Sequence, residues 1–260
     1  MNIVVLAKQV PDAEAIIEIA GDGQSLKIEQ KFTVNVFDEF AMEEAIRQRE
    51  KNGGKVRVIT LGTGKATEAL RTGIAMGADE AVLLEDPAFL NGDGYATALA
   101  LSRATALEPF DVILCGKQAI DDDRGEVGAM VAQFLEIPHV GGIVKLDVND
   151  GKAVAECLVD GAKKTLEVPL PAVFTAQKGL NEPRVPLITG VMKAMKATIT
   201  RITPDRIGVS PEEVGTAGSK VKVERYLPPK KRAAVKMLSG EPKEAAAEAV
   251  RIIMDVERIL

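Results

Sequence analysis

The chain has 260 residues, a formal net charge of −5, 46% hydrophobic and only 3% aromatic residues, with no Trp. That length holds one large domain or a domain with an appendage, and its core has to be aliphatic, which suits a parallel sheet covered by helices. Mild acidity without a basic stripe interleaved with aromatics argues against nucleic acid as a partner.

Residues 3–7 are a continuous apolar run and read as a buried central strand. The chain enters that strand without a signal-peptide or transit-peptide pattern, and no apolar run approaches membrane-spanning length, so the expected location is cytoplasmic, without membrane insertion. Residues 13–34 hold two short alternating pieces around Gly21-Asp22-Gly23, a hairpin excursion. Asn35 or Asp38 is placed to cap the next helix, which carries Phe37, Phe40, Ala41 and Ala45 as its stripe and closes at Asn52-Gly53-Gly54. Strand 56–61 and helix 65–76, strand 80–84 and helix 93–107, then strand 111–115 and the helix from 129 follow in alternation. That order is the pattern of right-handed βαβ units and a doubly wound, mostly parallel, Rossmann-like sheet.

After Pro138 the pattern changes. Residues 142–148, 153–159 and 164–168 are short, alternating and separated by Gly-containing turns, as in an antiparallel meander. Residues 169–176 read as one more buried strand. The α/β domain is expected to span 1–200, with the meander as a small insertion. Residues 201–260 form an arm: 203–243 lacks a strong period, 228–232 (Pro-Pro-Lys-Lys-Arg) is an extended link, and Ala245, Ala249, Ile252, Val256 and Ile259 mark a terminal amphipathic helix. Such a helix has to pack back on the domain or on another chain.

Catalytic signatures are missing. Gly62-Thr63-Gly64 lacks the third glycine of a dinucleotide fingerprint, and Gly64-Lys65 is followed by Ala66, so no phosphate-binding P-loop exists. The single His, His139, sits at a turn. Cys115 and Cys157 define neither a disulfide framework nor a metal site, and Cys115 reads as a small buried hydrophobe. No self-sufficient catalytic set can be assembled.

What remains is a ligand mouth beyond the carboxyl ends of the strands, at the switch point of the sheet. Leu6 and Ala7, the stretch Asn35-Val36-Phe37-Asp38, Leu61-Gly62, and residues 116–128 should meet there. The last stretch is over-equipped for a turn: Gly116-Lys117-Gln118-Ala119-Ile120-Asp121-Asp122-Asp123-Arg124-Gly125-Glu126-Val127-Gly128. Its glycines admit a close backbone approach, and amides at the following helix start can face a phosphate. The aspartates either bond ribose hydroxyls and the loop's own amides, or simply cap the helix and face solvent.

Residues 116–123 closely resemble a motif of the beta subunits of electron transfer flavoproteins. So do Leu180-Asn181-Glu182-Pro183-Arg184, Met192-Lys193-Ala194-Met195-Lys196, Lys8-Gln9-Val10-Pro11-Asp12 and Ala75-Met76-Gly77-Ala78-Asp79. The resemblance runs from residue 1 to about 200 and, more loosely, along the 228–232 link. It implies a heterodimer with an alpha subunit that holds most of the FAD. It also implies a pocket in this chain for AMP, or for a second FAD that accepts hydride from NADH in bifurcating relatives. Asn35, Asp38, Leu61, Gly62, Gln118, Asp121, Asp123 and the 125–128 loop would hold that nucleotide, and the C-terminal arm would wrap the alpha chain.

The resemblance further implies a dehydrogenase-recognition loop at 181–196, with Asn181, Glu182, Pro183 and Arg184, an anchor at Ile188 beside Leu187, and Lys193 and Lys196 flanking it. Read physically, two prolines stiffen 181–190 and an adjacent Leu-Ile pair suits a docking anchor, although the pair can also begin a helix that packs inward. AMP-type members usually carry Asn-Gln-Thr-Gly where this chain has Gly125-Glu126-Val127-Gly128. Bifurcating members tend to have Val before that last Gly, but also Gly where this chain keeps Asp122. A standalone adenine-nucleotide-binding enzyme on the same fold is the alternative from another class.

Overall fold

The computed structural model describes residues 1–149, 151–229, 234, 235 and 237–256, without the side chain of Val256. The strands are β1 (Asn2–Leu6), β2 (Gln9–Pro11), β3 (Ile17–Ile19), β4 (Leu26–Ile28), β5 (Phe32–Val34), β6 (Lys55–Leu61), β7 (Glu80–Leu84), β8 (Val112–Gly116), β9 (His139–Asn149), β10 (Lys152–Val159), β11 (Ala162–Pro169), β12 (Ala172–Ala176) and β13 (Thr200–Ile202). The helices are α1 (Val36–Asn52), α2 (Thr67–Met76), α3 (Gly94–Thr105), α4 (Val127–Leu135), α5 (Ile188–Lys196), the single turn α6 (Gly215–Gly218) and α7 (Pro242–Arg251), which runs on into a π-helical turn, Ile252–Val256.

Nine strands form one sheet in the order β11-β10-β9-β12-β8-β1-β6-β7-β13. From β9 to β13 across the sheet every pair is parallel, and β9, β10 and β11 add the antiparallel meander at one edge. The expected doubly wound sheet is therefore present, and the meander extends it rather than standing apart. The expected excursion is β3 and β4, carried on the antiparallel β2–β5 pair.

Alternation along the strands builds two core layers. Ile3 and Val5 of β1 face one side with Val56, Val58, Leu114 and Phe174, under α1, α2 and α5. Val4 and Leu6 face the other with Ile59, Ile113 and Val173, under α3 and α4. Cys115 and Cys157 are buried free thiols. The second layer continues past the aperiodic stretch after 203, where Ile207, Val209 and Val214 are buried against it. None of the described residues of α7 is buried, and of its stripe Ala245, Ala249 and Ile252 are half-buried. Ile259 and residues 230–232 of the Pro-Pro-Lys-Lys-Arg link lie outside the described residues.

Candidate functional site

The sheet changes direction between β1 and β8: β1 runs to β6 on one side, while β8 returns to its other side. At the carboxyl ends of these strands lies a cleft of about 380 Å³. Crevices at such switch points are where open α/β sheets bind ligands, because two loops diverge there and leave backbone ends uncovered.

The floor is built around Asp38. Its Oδ2 accepts the Lys8 amide at 2.7 Å and its Oδ1 accepts the Gly116 amide at 2.7 Å, so one carboxylate from α1 joins the ends of β1 and β8. Burial pushes its pKa up to about 7, against the pull of those two amides. A Cβ at Gly116 would lie 2.5 Å from Asp38 Oδ1 and 2.7 Å from Phe37 Cβ, which is why that position is a glycine.

Asn35 takes a different role from a cap. It occupies the N-cap position of α1, but its side chain makes no cap hydrogen bond. Its Nδ2 donates to Gln118 O at 2.8 Å and its Oδ1 accepts from Ile120 N at 3.2 Å. The expected side-chain cap at Asn35 or Asp38 is thus corrected: Asn35 turns to hold the loop after β8, and Asp38 holds the ends of β1 and β8.

The aspartates of that loop are tied internally. Lys8 Nζ bridges Asp121 at 2.8 Å and Asp122 at 3.2 Å. Asp123 has a left-handed φ of 57° and accepts from the side chain of Gln118. Arg124 pairs with Glu126 at 3.6 Å. Gly125 turns left-handed at φ 63° and leads into α4, whose first-turn amides have no partner within their own helix. Gly128 brings α4 down onto the sheet, since a Cβ there would lie 2.7 Å from Thr175 Cγ2 and 2.8 Å from Cys115 Sγ.

Of the sequence-derived residues, Leu6, Ala7, Asn35, Asp38, Leu61, Gly62, Gly116, Lys117, Gln118, Ala119, Asp122, Arg124, Gly125, Glu126, Val127 and Gly128 line the cleft. Val36, Phe37, Ile120, Asp121 and Asp123 are not among the residues that line it. A further wall lies outside the sequence-derived residues: Phe89, Leu90, Asn91, Gly92 and Asp93, from the connection between β7 and α3, with Gly94 at the start of α3. The signal was available in Asn91-Gly92-Asp93-Gly94, a turn cluster at the carboxyl end of another parallel strand. Glu126 reaches across to this wall and lies against Gly94, at the start of α3.

The 181–196 segment lies elsewhere, on the face covered by α1 and α2. Arg184 bonds Glu43 (Nε to Oε2, 2.8 Å) and Glu50 (Nη1 to Oε1, 2.7 Å), and Glu43, only 2% exposed, also takes Arg47 at 2.6 Å. These partners hold the Glu43 carboxyl below its ordinary range although burial opposes them. Asn181 donates to Phe40 O at 3.0 Å, and Arg47 donates to Glu182 O at 3.3 Å. The expected loop is half helix: α5 starts at Ile188, with Leu187 as its N-cap. Yet Leu187 and Ile188 do not pack inward; they are 75% and 81% exposed, beside exposed Val191, Met192 and Met195. Lys193 and Lys196 stand exposed on the last turn.

Among the described residues no group of three His, Cys, Asp or Glu side chains is placed to hold a metal ion, and no helix is long and apolar enough to cross a membrane.

Comparison with known proteins adds an independent finding. Residues 26–207 match the family described as "Electron transfer flavoprotein domain". The chain is 41% identical to the electron transfer flavoprotein subunit beta of Thermoanaerobacterium thermosaccharolyticum, over 96% of each chain. It is 38% identical to the subunit of the same name from Bacillus subtilis, over the full length of both. It is 36% identical to the caffeyl-CoA reductase-Etf complex subunit CarD of Acetobacterium woodii, over 92% of each.

Proposed function

The chain belongs to the electron transfer flavoprotein family, on the beta-subunit side, and from that premise we propose that it pairs with a flavin-carrying alpha chain and moves electrons between a dehydrogenase and an acceptor. In this reading its own cleft holds an adenine nucleotide, the 181–196 segment receives the dehydrogenase, and the C-terminal arm grips the alpha chain. The complex works in the cytoplasm.

The observation that carries the nucleotide is the cleft at the β1–β8 switch point. Its size of about 380 Å³ lies within the range of small-molecule sites, about 300–1,000 Å³. Leu6, Phe89 and Leu101 offer apolar surface for a base. Gly116, Gly125 and Gly128 let backbone approach a sugar and phosphate. Lys117, Arg124 and the first-turn amides of α4 offer positive ends. Asn35 and Asp38 keep the loop and the two strand ends in register. A flavin, when bound, supplies the redox chemistry. The residues of this chain bind, orient and shield, and no side-chain acid–base set is required of them.

A second reading, a second FAD in the same cleft, draws support from Val127 and Glu126. Val127 offers no hydroxyl to a terminal phosphate, and Glu126 places a carboxylate at the phosphate end. Denaturing the purified complex and separating the released nucleotides by chromatography decides between them. One flavin and one AMP per heterodimer supports the simple carrier; two flavins and no AMP supports the second reading; no adenine nucleotide beyond one flavin defeats the assignment of this cleft.

A further inference from the structure

Asp93 belongs to the cleft wall and to a contact that the cleft does not explain. Its Oδ1 caps α3 by accepting the Ala96 amide at 2.9 Å. Its Oδ2 accepts two amides from far along the chain, Lys220 at 2.6 Å and Val221 at 2.9 Å. Its own amide donates to Ser219 Oγ at 2.9 Å. One residue thus carries a helix start, a cleft wall and an anchor of the C-terminal segment.

The contact is continuous on both sides of Asp93. Gly215, left-handed at φ 55°, lies so close to the carbonyls of Ala88 and Leu90 that no side chain fits there. Thr216 N donates to Leu90 O at 3.2 Å. The Lys220 ammonium stands 4.9 Å over the Tyr95 ring, and Tyr95 meets Phe134 of α4 edge-on at 5.2 Å. Beyond this, Tyr226 N donates to Gly23 O at 2.8 Å, at the tip of the β3–β4 hairpin. The 215–226 stretch therefore backs the 88–94 loop and runs on to a second loop of the domain.

We propose that Asp93 is a positioning residue that couples the cleft to the C-terminal segment, so that a nucleotide in the cleft and the 215–226 stretch docked behind its wall stabilise one another. The inference rests on the reading of the cleft as a nucleotide site. Its physical basis is reciprocity: if docking of the segment fixes the wall that a ligand touches, the ligand must strengthen docking by the same factor. The carboxylate is the element required, because only it presents acceptors to the α3 amide and to both arm amides at once.

Asp93→Asn separates the roles. Its oxygen still caps Ala96, while its amide nitrogen, a donor, faces the Lys220 and Val221 donors. The experiment is hydrogen exchange of the full-length chain titrated with 5′-AMP and, separately, with FAD. In the wild type, nucleotide should slow exchange in peptides covering both 88–97 and 215–226. In Asp93→Asn it should slow exchange only in the first, with affinity reduced roughly fivefold or more, the low end of ordinary coupling between sites. Ser219→Ala, which keeps the carboxylate, should show the same change to a smaller extent and covers the case in which Asp93→Asn does not fold. Nucleotide that protects 88–97 but never 215–226 in the wild type overturns the coupling alone. Undiminished arm protection in both variants overturns it too. Binding of neither probe anywhere defeats the reading of the cleft and the coupling with it.

Discussion

Asp38 Oδ1 accepts the Gly116 amide at 2.7 Å, across 78 residues of sequence, and so ties the α1 start to the end of β8. The other oxygen holds Lys8 N at 2.7 Å. Two strand ends that must diverge to open a cleft are kept at fixed separation by a single buried carboxyl.

That position makes stability depend on pH. Burial raises the folded-state pKa of Asp38 from 3.8 to about 7. Between these values the folded chain holds the proton more tightly than the unfolded chain, so its contribution is fully present below the unfolded pKa and is lost as pH rises through about 7. Asp38→Asn cannot titrate and leaves one amide facing an NH₂ group, a loss of about 1–3 kcal/mol. Urea unfolding of both proteins should give a larger difference at pH 5 than at pH 8. An equal difference at both pH values would mean that Asp38 titrates normally in the fold.

Gly128→Ala tests the close approach of α4 to the sheet. The added methyl would stand 2.7 Å from Thr175 Cγ2 and 2.8 Å from the buried Cys115 sulfur. Neither neighbour is the free end of a long chain, so α4 must lift. The expected cost is about 1–3 kcal/mol in denaturant unfolding, accompanied by loss of bound nucleotide, since the same helix presents its first turn to the cleft.

The alternating strands, their switch point and most of the cleft lining are legible in the sequence, because these rest on local periodicity and on one topological rule. The pairing of residues distant in sequence is not. Nothing local marks Asp93 as a partner of Lys220, and nothing marks Asn35 as a clamp on Gln118 rather than a cap. The stretch after 203 carries no strong period, yet Ile207, Val209 and Val214 bury themselves singly in the second core layer. Isolated apolar residues between turns leave no period to detect. The Asp cluster shows the opposite case, in which the residues were found and their contacts were not: Lys8, from β1's end, holds two of the three.

Arg184 should matter more for docking than for the fold. It spans Glu43 and Glu50 on α1, and Arg47 remains to pair Glu43 when it is removed. Arg184→Ala should therefore cost about 1.5–3 kcal/mol, the range of a hydrogen bond to a charged group. Reduction of the flavin by the dehydrogenase should slow more than chemical reduction of the same flavin, because the 181–187 stretch loses its main tether. Equal slowing of both would place the defect in the cofactor site.

Ile188→Ala probes the exposed end of α5. At 81% exposure the side chain contributes little to folding, so the denaturation midpoint should stay within the range of surface changes, about ±0.5 kcal/mol. Dehydrogenase affinity should fall by about 2 kcal/mol, the scale of an interface hot spot. Titration calorimetry against the dehydrogenase reads this directly, and unchanged affinity would move the docking surface elsewhere.

Removal of residues 235–260 separates the roles of the arm. Val235 and Met237 are more than four-fifths exposed, and α7 buries none of its described residues against the domain. A short helix whose apolar stripe is at most half-buried gains little by itself, since isolated helices of this length are marginal in water. The truncated chain should therefore keep the denaturation midpoint of the domain, with the Asp93 contacts to Lys220 and Val221 intact. It should fail to co-elute with the alpha chain in size-exclusion chromatography. A complex that survives the deletion would mean that the sheet domain alone carries the subunit contact, and that the α7 stripe answers to some other surface.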